Sequence, residues 1–213
     1  MIIDCIGCLH GHYPKLEGGD LLIVTGDLTA RDEPEEYIYF RNWLSQQNYR
    51  KRIVIAGNHD NTLEMDYNFG STPFMEIADY LCYSETEFEG LKIYGSPWTK
   101  TFPGMNPKCK AFTVDTEEEL AEKWALIPDD IDILITHGPS HSILDKTDRG
   151  EHVGSETLFP DWDGGLKLHV FSHIHEAYGE DKGNTGIFPY HYVNCSHVNE
   201  RYQPVNKPIR VIL

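Results

Sequence analysis

The 213-residue chain carries 34 acidic against 18 basic residues, a formal net charge of -16, and so lacks the basic footprint that long duplex nucleic acid or an anionic membrane attracts. Hydrophobic residues make up 40% and charged residues 24%, the balance of one α/β or α+β domain over residues 1–213 with a single core. No stretch is apolar and long enough for a bilayer span or a secretory signal, which points to a soluble, cytoplasmic protein.

Short apolar runs rich in β-branched residues read as buried strands at residues 1–6, 21–25, 53–56, 91–94, 131–136, 168–171, 190–193 and 209–213. Between the second and third, Tyr37, Phe40 and Leu44 fall at helical spacing over residues 34–45, with Asp32 ahead of Pro34 as the start. This is the crossover helix of a βαβ unit. A second helix starts at Thr116, which forms a capping box with Glu119, and runs until Pro128 stops it. Residues 61–80, 96–115 and 139–165 read as loops, and long ordered loops in a compact domain usually serve function.

Cys5, Cys8, Cys82, Cys109 and Cys195 are odd in number and scattered, which predicts reduced thiols, not a disulfide framework. Cys5 and Cys8 form a C-x-x-C in or just after a strand, where residues three apart face opposite ways, so a shared redox or zinc role is not expected.

The chemistry-bearing residues follow strands: Cys8 and His10 after the first, Asp27 after the second, Asn58, His59 and Asp60 after the third, then His137, and finally His173 and His175. Strand carboxyl ends are where α/β sheets bind ligands, so these distant residues can converge. Histidine, aspartate and asparagine suit a divalent ion such as Zn, Mn, Fe or Ni. Asp27, presented beyond its strand by Gly26, is the candidate bridge between two ions. In His173-Ile174-His175 the imidazoles point one way from an extended segment, whereas from a loop they can serve adjacent ions. Asn58 can ligate through its carbonyl oxygen without adding charge. His59 has a titration range suited to proton donation, and Asp60 can orient it.

Gly26-Asp27, Gly57-Asn58-His59-Asp60, Thr136-His137-Gly138 and the H-x-H, in this order after successive strands, resemble the calcineurin-like metallophosphoesterase family. The texture of THGPSHSILD, GEHVG, SHIHEAYG and VNCSHVNERYQPVNKP is similar to the branch holding the brain metallophosphoesterase-domain proteins and class III cyclic-nucleotide phosphodiesterases. The resemblance implies a two-sheet sandwich flanked by helices. It implies one metal on Cys8, His10, Asp27 and His175 and a second on Asp27, Asn58, His137 and His173, with a metal-bridging hydroxide attacking phosphorus in line and His59 protonating the leaving group. The partner would be a small phosphorylated molecule, a nucleotide or cyclic nucleotide, with no long nucleic acid and no membrane. A phosphomonoesterase on the same site is the near alternative, and a metal-binding protein with weakened catalysis the distant one.

Cys8 stands where the family has aspartate. A thiolate suits zinc or ferrous iron better than manganese, while the other reading is a small buried hydrophobe. Ser172 stands where glycine is usual before the H-x-H, a change that could narrow the pocket or tilt His173. His141, in a loop resembling the family's substrate side, is the remaining substrate-binding candidate beside Asn58, with His152 weaker. His12 reads as a surface imidazole, His169 as a core histidine, His191 and His197 as structural, and Asn194 and Cys195 as turning the chain near the site.

Overall fold

The computed structural model describes residues 1–70, 74, 76–159, 165–184 and 189–213. The strands are β1 (Ile2–Ile6), β2 (Gly19–Thr25), β3 (Tyr49–Ile55), β4 (Asp79–Tyr80), β5 (Ser84–Phe88), β6 (Leu91–Ser96), β7 (Thr99–Lys100), β8 (Thr113–Val114), β9 (Ile133–Thr136), β10 (Leu168–Phe171), β11 (Gly179–Asn184), β12 (Pro189–Asn194) and β13 (Ile209–Ile212). The helices are α1 (Pro34–Ser45), α2 (Asn61–Asn68) and α3 (Glu117–Trp124). One sheet runs β13-β1-β2-β3-β4 and the other β11-β12-β10-β9-β6-β5; β7 and β8 form a small parallel pair.

The central strands carry runs of apolar residues because both of their faces are largely buried. Successive side chains alternate in direction, so Ile3 and Cys5 of β1, Leu21 and Ile23 of β2, Ile133 and Ile135 of β9 and Val170 of β10 meet between the two sheets. The alternate residues Leu22, Val24 and Val54 face outward beneath Phe40, Trp43 and Leu44 of α1 and Leu63 of α2. On the far sheet Leu134 and Phe171 lie beneath Leu120 and Trp124 of α3. The result is a two-sheet sandwich flanked by helices. Each buried aliphatic side chain contributes about 1.5–3 kcal/mol.

The five strands that precede the chemistry-bearing residues run parallel to one another within each sheet, β1, β2 and β3 in one and β9 and β10 in the other, while the edge strand β13 pairs antiparallel with β1. At that end the sheets are stitched together, with the Gly7 N–H donating to Cys195 O (2.9 Å) and the His197 N–H to Gly7 O (2.8 Å).

The α1 crossover and the Thr116–Glu119 capping box form as expected, although α1 is capped by Glu33, one residue after Asp32. The expected loop at 61–80 contains α2 and β4, with residues 71–73 and 75 outside the described set. The 96–115 segment carries β7 and β8, while residues 139–159 are irregular apart from isolated bridges; residues 160–164 lie outside the described set. Among the described residues no helix is long and apolar enough to cross a membrane.

Candidate metal centre

The loops after β1 and β2 run side by side, the Cys8 N–H donating to Gly26 O and the His10 N–H to Asp27 O, each at 2.9 Å. Holding those turns costs backbone strain. Cys8, His10, Asp27 and His173 have φ of 46°, 44°, 51° and 67°, in the left-handed region that non-glycine residues avoid at about 1–3 kcal/mol each. Gly57, between β3 and Asn58, has no room for a side chain: a Cβ there would lie 2.3 Å from Asp27 Oδ1 and 2.5 Å from His137 Cε1.

Among the described residues, two groups of side chains bring their donor atoms within 4.8 Å of one another: Cys8, His10, Asp27 and His175, and Asp27, His137 and His173. Asp27 belongs to both. Its Oδ2 lies 3.5 Å from His10 Nε2 and 3.4 Å from His137 Nε2, while Oδ1 accepts from the His59 N–H at 2.9 Å. His173 and His175 thus serve adjacent groups from a loop, His175 opening a single 3-10 turn.

The donor set fits divalent cations. His137 Nδ1 faces Thr25 O at 2.8 Å, which makes that nitrogen the N–H, so in the neutral ring Nε2 carries the lone pair, 3.1 Å from Asn58 Oδ1. Asn58 Nδ2 donates to Cys109 O at 3.1 Å, so its oxygen is the atom turned inward. Three acceptors, Nε2, Oδ1 and Asp27 Oδ2, therefore face one another, a repulsive arrangement that a cation converts into ligation. In the other group His175 Nδ1 faces Asn199 O at 3.2 Å and its Nε2 lies 3.4 Å from His10 Nε2. His10 Nδ1 is buried with no hydrogen-bond partner among the described residues.

Electrostatics agree. Burial pushes the His10 and His173 imidazoles down to about 3, so both are neutral, the form that ligates metal. For Asp27, burial would raise the pKa, but His137, His59 and His10 outweigh it and hold the carboxyl well below its ordinary range. His137 is moved upward, Asp27 overcoming the effect of burial. Cys8 is fully buried, and burial together with Asp27 pushes its thiol far up. Only a cation at hand would make it a thiolate ligand.

A family profile described as calcineurin-like phosphoesterase matches residues 1–177. The chain belongs to that family of metal-dependent phosphoester hydrolases. Metallophosphoesterase domain-containing protein 1 of Homo sapiens is 37% identical over an alignment covering 98% of this chain and 70% of that protein. A probable cyclic nucleotide phosphodiesterase of Synechococcus is 36% identical over 61 residues, 29% of this chain and 24% of that one. One solved structure superposes with a TM-score of 0.63 at 13% identity, over 91% of this chain and 89% of the other, and so shares its fold.

Within this calcineurin-like phosphoesterase, the expectations for Asp60, His141, Ser172 and Asn194 need correcting. Asp60 does not orient His59: its carboxylate accepts from Gly57 N–H (2.8 Å) and Leu28 N–H (3.0 Å), and it is moved up to about 8, by burial first and then by Asp27. The neighbour of His59 Nδ1 is Cys109 Sγ, at 3.4 Å. His141 is exposed, its Nδ1 on Ser142 Oγ and its ring beside His152, and it belongs to neither donor group. His152 in turn pairs with the buried Asp145. Ser172 does not narrow the pocket, because its hydroxyl is engaged with Thr25 O and Thr25 Oγ1. Asn194 does more than turn the chain: its Nδ2 donates to Ile174 O, clamping the H-x-H from its middle residue.

Cys109 and Tyr202 escape sequence reasoning. The Tyr202 ring lies 4.8 Å from His10, 5.5 Å from His175 and 6.1 Å from His59. Neither residue belongs to a motif with a chemical reading, and both arrive through the turns Asn106–Cys109 and Asn199–Tyr202, whose course no periodicity announces.

Proposed function

We propose that this chain is a phosphodiesterase acting on small nucleotides, cyclic nucleotides among them, with two divalent cations held by Cys8, His10, Asp27 and His175 and by Asp27, Asn58, His137 and His173. The observation that carries this reading is the cluster of inward-facing acceptors, Asp27 Oδ2, His137 Nε2 and Asn58 Oδ1, with the His59 ring standing 4.5 Å from that of His10. The short match to the Synechococcus protein supports the nucleotide part.

Bound cations would supply Lewis-acid polarisation of the phosphoryl oxygens and a water acidic enough to act as nucleophile at neutral pH. The protein's own groups do the rest. Asp27 supplies the buried negative charge shared by both groups. Asn58 binds through a neutral oxygen fixed by Cys109 O. Cys109 Sγ lies 3.4 Å from His59 Nδ1, a contact that orients the ring and leaves Nε2 as the nitrogen available to a leaving group. Asp60 holds the loop by its two backbone contacts and leaves the proton transfer to His59.

The test is elemental analysis of the purified protein, then turnover of bis-p-nitrophenyl phosphate, p-nitrophenyl phosphate and cyclic AMP with Mn, Zn, Fe or Ni added back. Metal-dependent hydrolysis of the diesters is expected. Hydrolysis of the monoester alone would replace this reading with a phosphomonoesterase, and metal binding without turnover would leave a binding protein.

A further inference from the structure

We infer that Tyr202 is a specificity residue that receives the planar base of the substrate beside His59, so that the site favours phosphodiesters carrying an aromatic group. The inference rests on the phosphodiesterase reading above and adds to it the wall that recognises the non-phosphate part.

Four observations place the ring there. It meets the imidazoles of His10 and His175 edge-on, at 85° in both cases, and tilts 59° to His59, touching both a proposed cation group and the proposed proton donor. Although it packs against the buried His10 and the half-buried His59 and His175, the residue is 49% exposed, so part of it faces solvent over the site. Its φ of 58° is in the left-handed region, a cost that persists only where surroundings impose it.

The surroundings do impose it. The Tyr202 N–H donates to Asn199 O at 2.8 Å, and Tyr202 O pairs with His12 Nε2 at 3.1 Å. Asn199 Oδ1 accepts from the Arg201 and Gln203 N–H groups at 3.0 Å each. Asn199 O also faces His175 Nδ1, so the turn that aims the ring is fastened to a proposed ligand. An amphipathic ring held rigidly at the edge of an acidic, phosphate-handling site offers what the cations do not, an apolar face for a nucleobase.

The test uses the full chain loaded with Mn and compares adenosine 3′,5′-cyclic phosphate with glycerophosphoethanolamine, a diester without a ring. Tyr202→Leu should raise KM for the cyclic nucleotide roughly tenfold relative to its effect on the glycerophosphodiester, with Tyr202→Phe restoring it. Phe102→Leu, which removes the exposed ring 6.4 Å from His173, should not reproduce the loss. Parallel changes in both substrates, a loss confined to kcat, or the effect following Phe102 instead would overturn the inference. A wild-type protein that cleaves only the glycerophosphodiester would overturn it while leaving phosphodiester hydrolysis standing. If neither substrate turns over, the proposed function fails, and calorimetric binding of AMP against inorganic phosphate decides on Tyr202 alone: weaker AMP binding by Tyr202→Leu with phosphate binding retained supports it, and equal changes in both refute it.

Discussion

Replacing Gly57 with alanine tests the geometry of the centre without removing any proposed ligand. Gly57 needs no unusual φ, so alanine there meets a purely steric problem. The added Cβ would stand 2.3 Å from Asp27 Oδ1, 2.5 Å from His137 Cε1 and 2.6 Å from Asp27 N. Ordinary contacts begin near 3.4 Å, so one or more of these atoms must move by about an ångström. The three atoms are backbone and proposed ligands, none of them the end of a flexible side chain. Misplacement by that amount at a reacting centre costs on the order of a hundredfold in rate, and overpacking of this kind about 1–3 kcal/mol in stability. Gly138→Ala is the control, since its Cβ would meet Thr99 Oγ1 at 3.0 Å, Thr99 Cβ at 3.6 Å and His173 Cδ2 at 3.9 Å, and the threonine side chain can give. Metal content by mass spectrometry, thermal melting and diesterase turnover should separate the two variants, with Gly57→Ala losing metal and activity and Gly138→Ala retaining both. A Gly57→Ala protein with parental metal content and turnover would refute the placement of Asp27 and His137.

Asp27→Asn should abolish metal-dependent hydrolysis while keeping the fold, because it removes the one charge common to both donor groups; near-parental turnover would dismiss a shared carboxylate. His59→Ala should slow nucleoside leaving groups by roughly a hundredfold or more but p-nitrophenolate far less, and equal losses would remove His59 as proton donor. Cys8→Ala should lower occupancy of the group shared with His10 and His175, and X-ray absorption on the zinc-loaded parent should find sulfur at about 2.3 Å; a shell of nitrogen and oxygen only would leave Cys8 as packing. Burial alone pushes His169 down to about 3, so the unfolded chain takes up a proton the folded one refuses: this destabilisation is absent above pH 6.5 and grows as pH falls toward 3, reaching about 2 kcal/mol at pH 5. His169→Gln, whose amide can still reach Thr136 Oγ1, should flatten that acid branch in denaturant titrations, and an unchanged branch would count against it.

The sandwich was readable because its central strands are apolar on both faces, a pattern few other structures produce. What escaped were elements that bury little. Strands β5 (SETEF) and β11 (GEDKGN) lie at the two edges of their sheet, where a solvated face replaces the apolar signal with charge. Helix α2 buries only Leu63 among its eight residues, too few for a periodicity. The order of the site residues after strands was legible for the same reason as the strands themselves, since a ligand set gathered at one sheet end must follow strand carboxyl ends. Asp60 was misjudged because adjacency in sequence to His59 says nothing about direction. Its oxygens point back at Gly57 and Leu28, and the contact to the imidazole comes from Cys109, fifty residues on.

The deeper reason the site could be listed but not drawn lies in its backbone. Cys8, His10, Asp27 and His173 all adopt positive φ; Asp and His visit that region more often than other side chains, but still too seldom for sequence to announce it as Gly11 and Gly26 beside them do. Left-handed residues reverse the direction in which a side chain leaves the chain, and so they aim four donors from three loops at the two adjoining donor groups. Their combined cost, on the order of 4–12 kcal/mol if each is strained by 1–3, is comparable to the whole stability of a typical domain. Such turns persist only because the apolar strands before them are fixed and because their amides are locked in pairs, Cys8 to Gly26 and His10 to Asp27. The core thus does more than hold the sheets together: it stores the strain that keeps the inward-facing acceptors of Asp27, Asn58 and His137 from relaxing apart, which is the condition for a cation to be bound there.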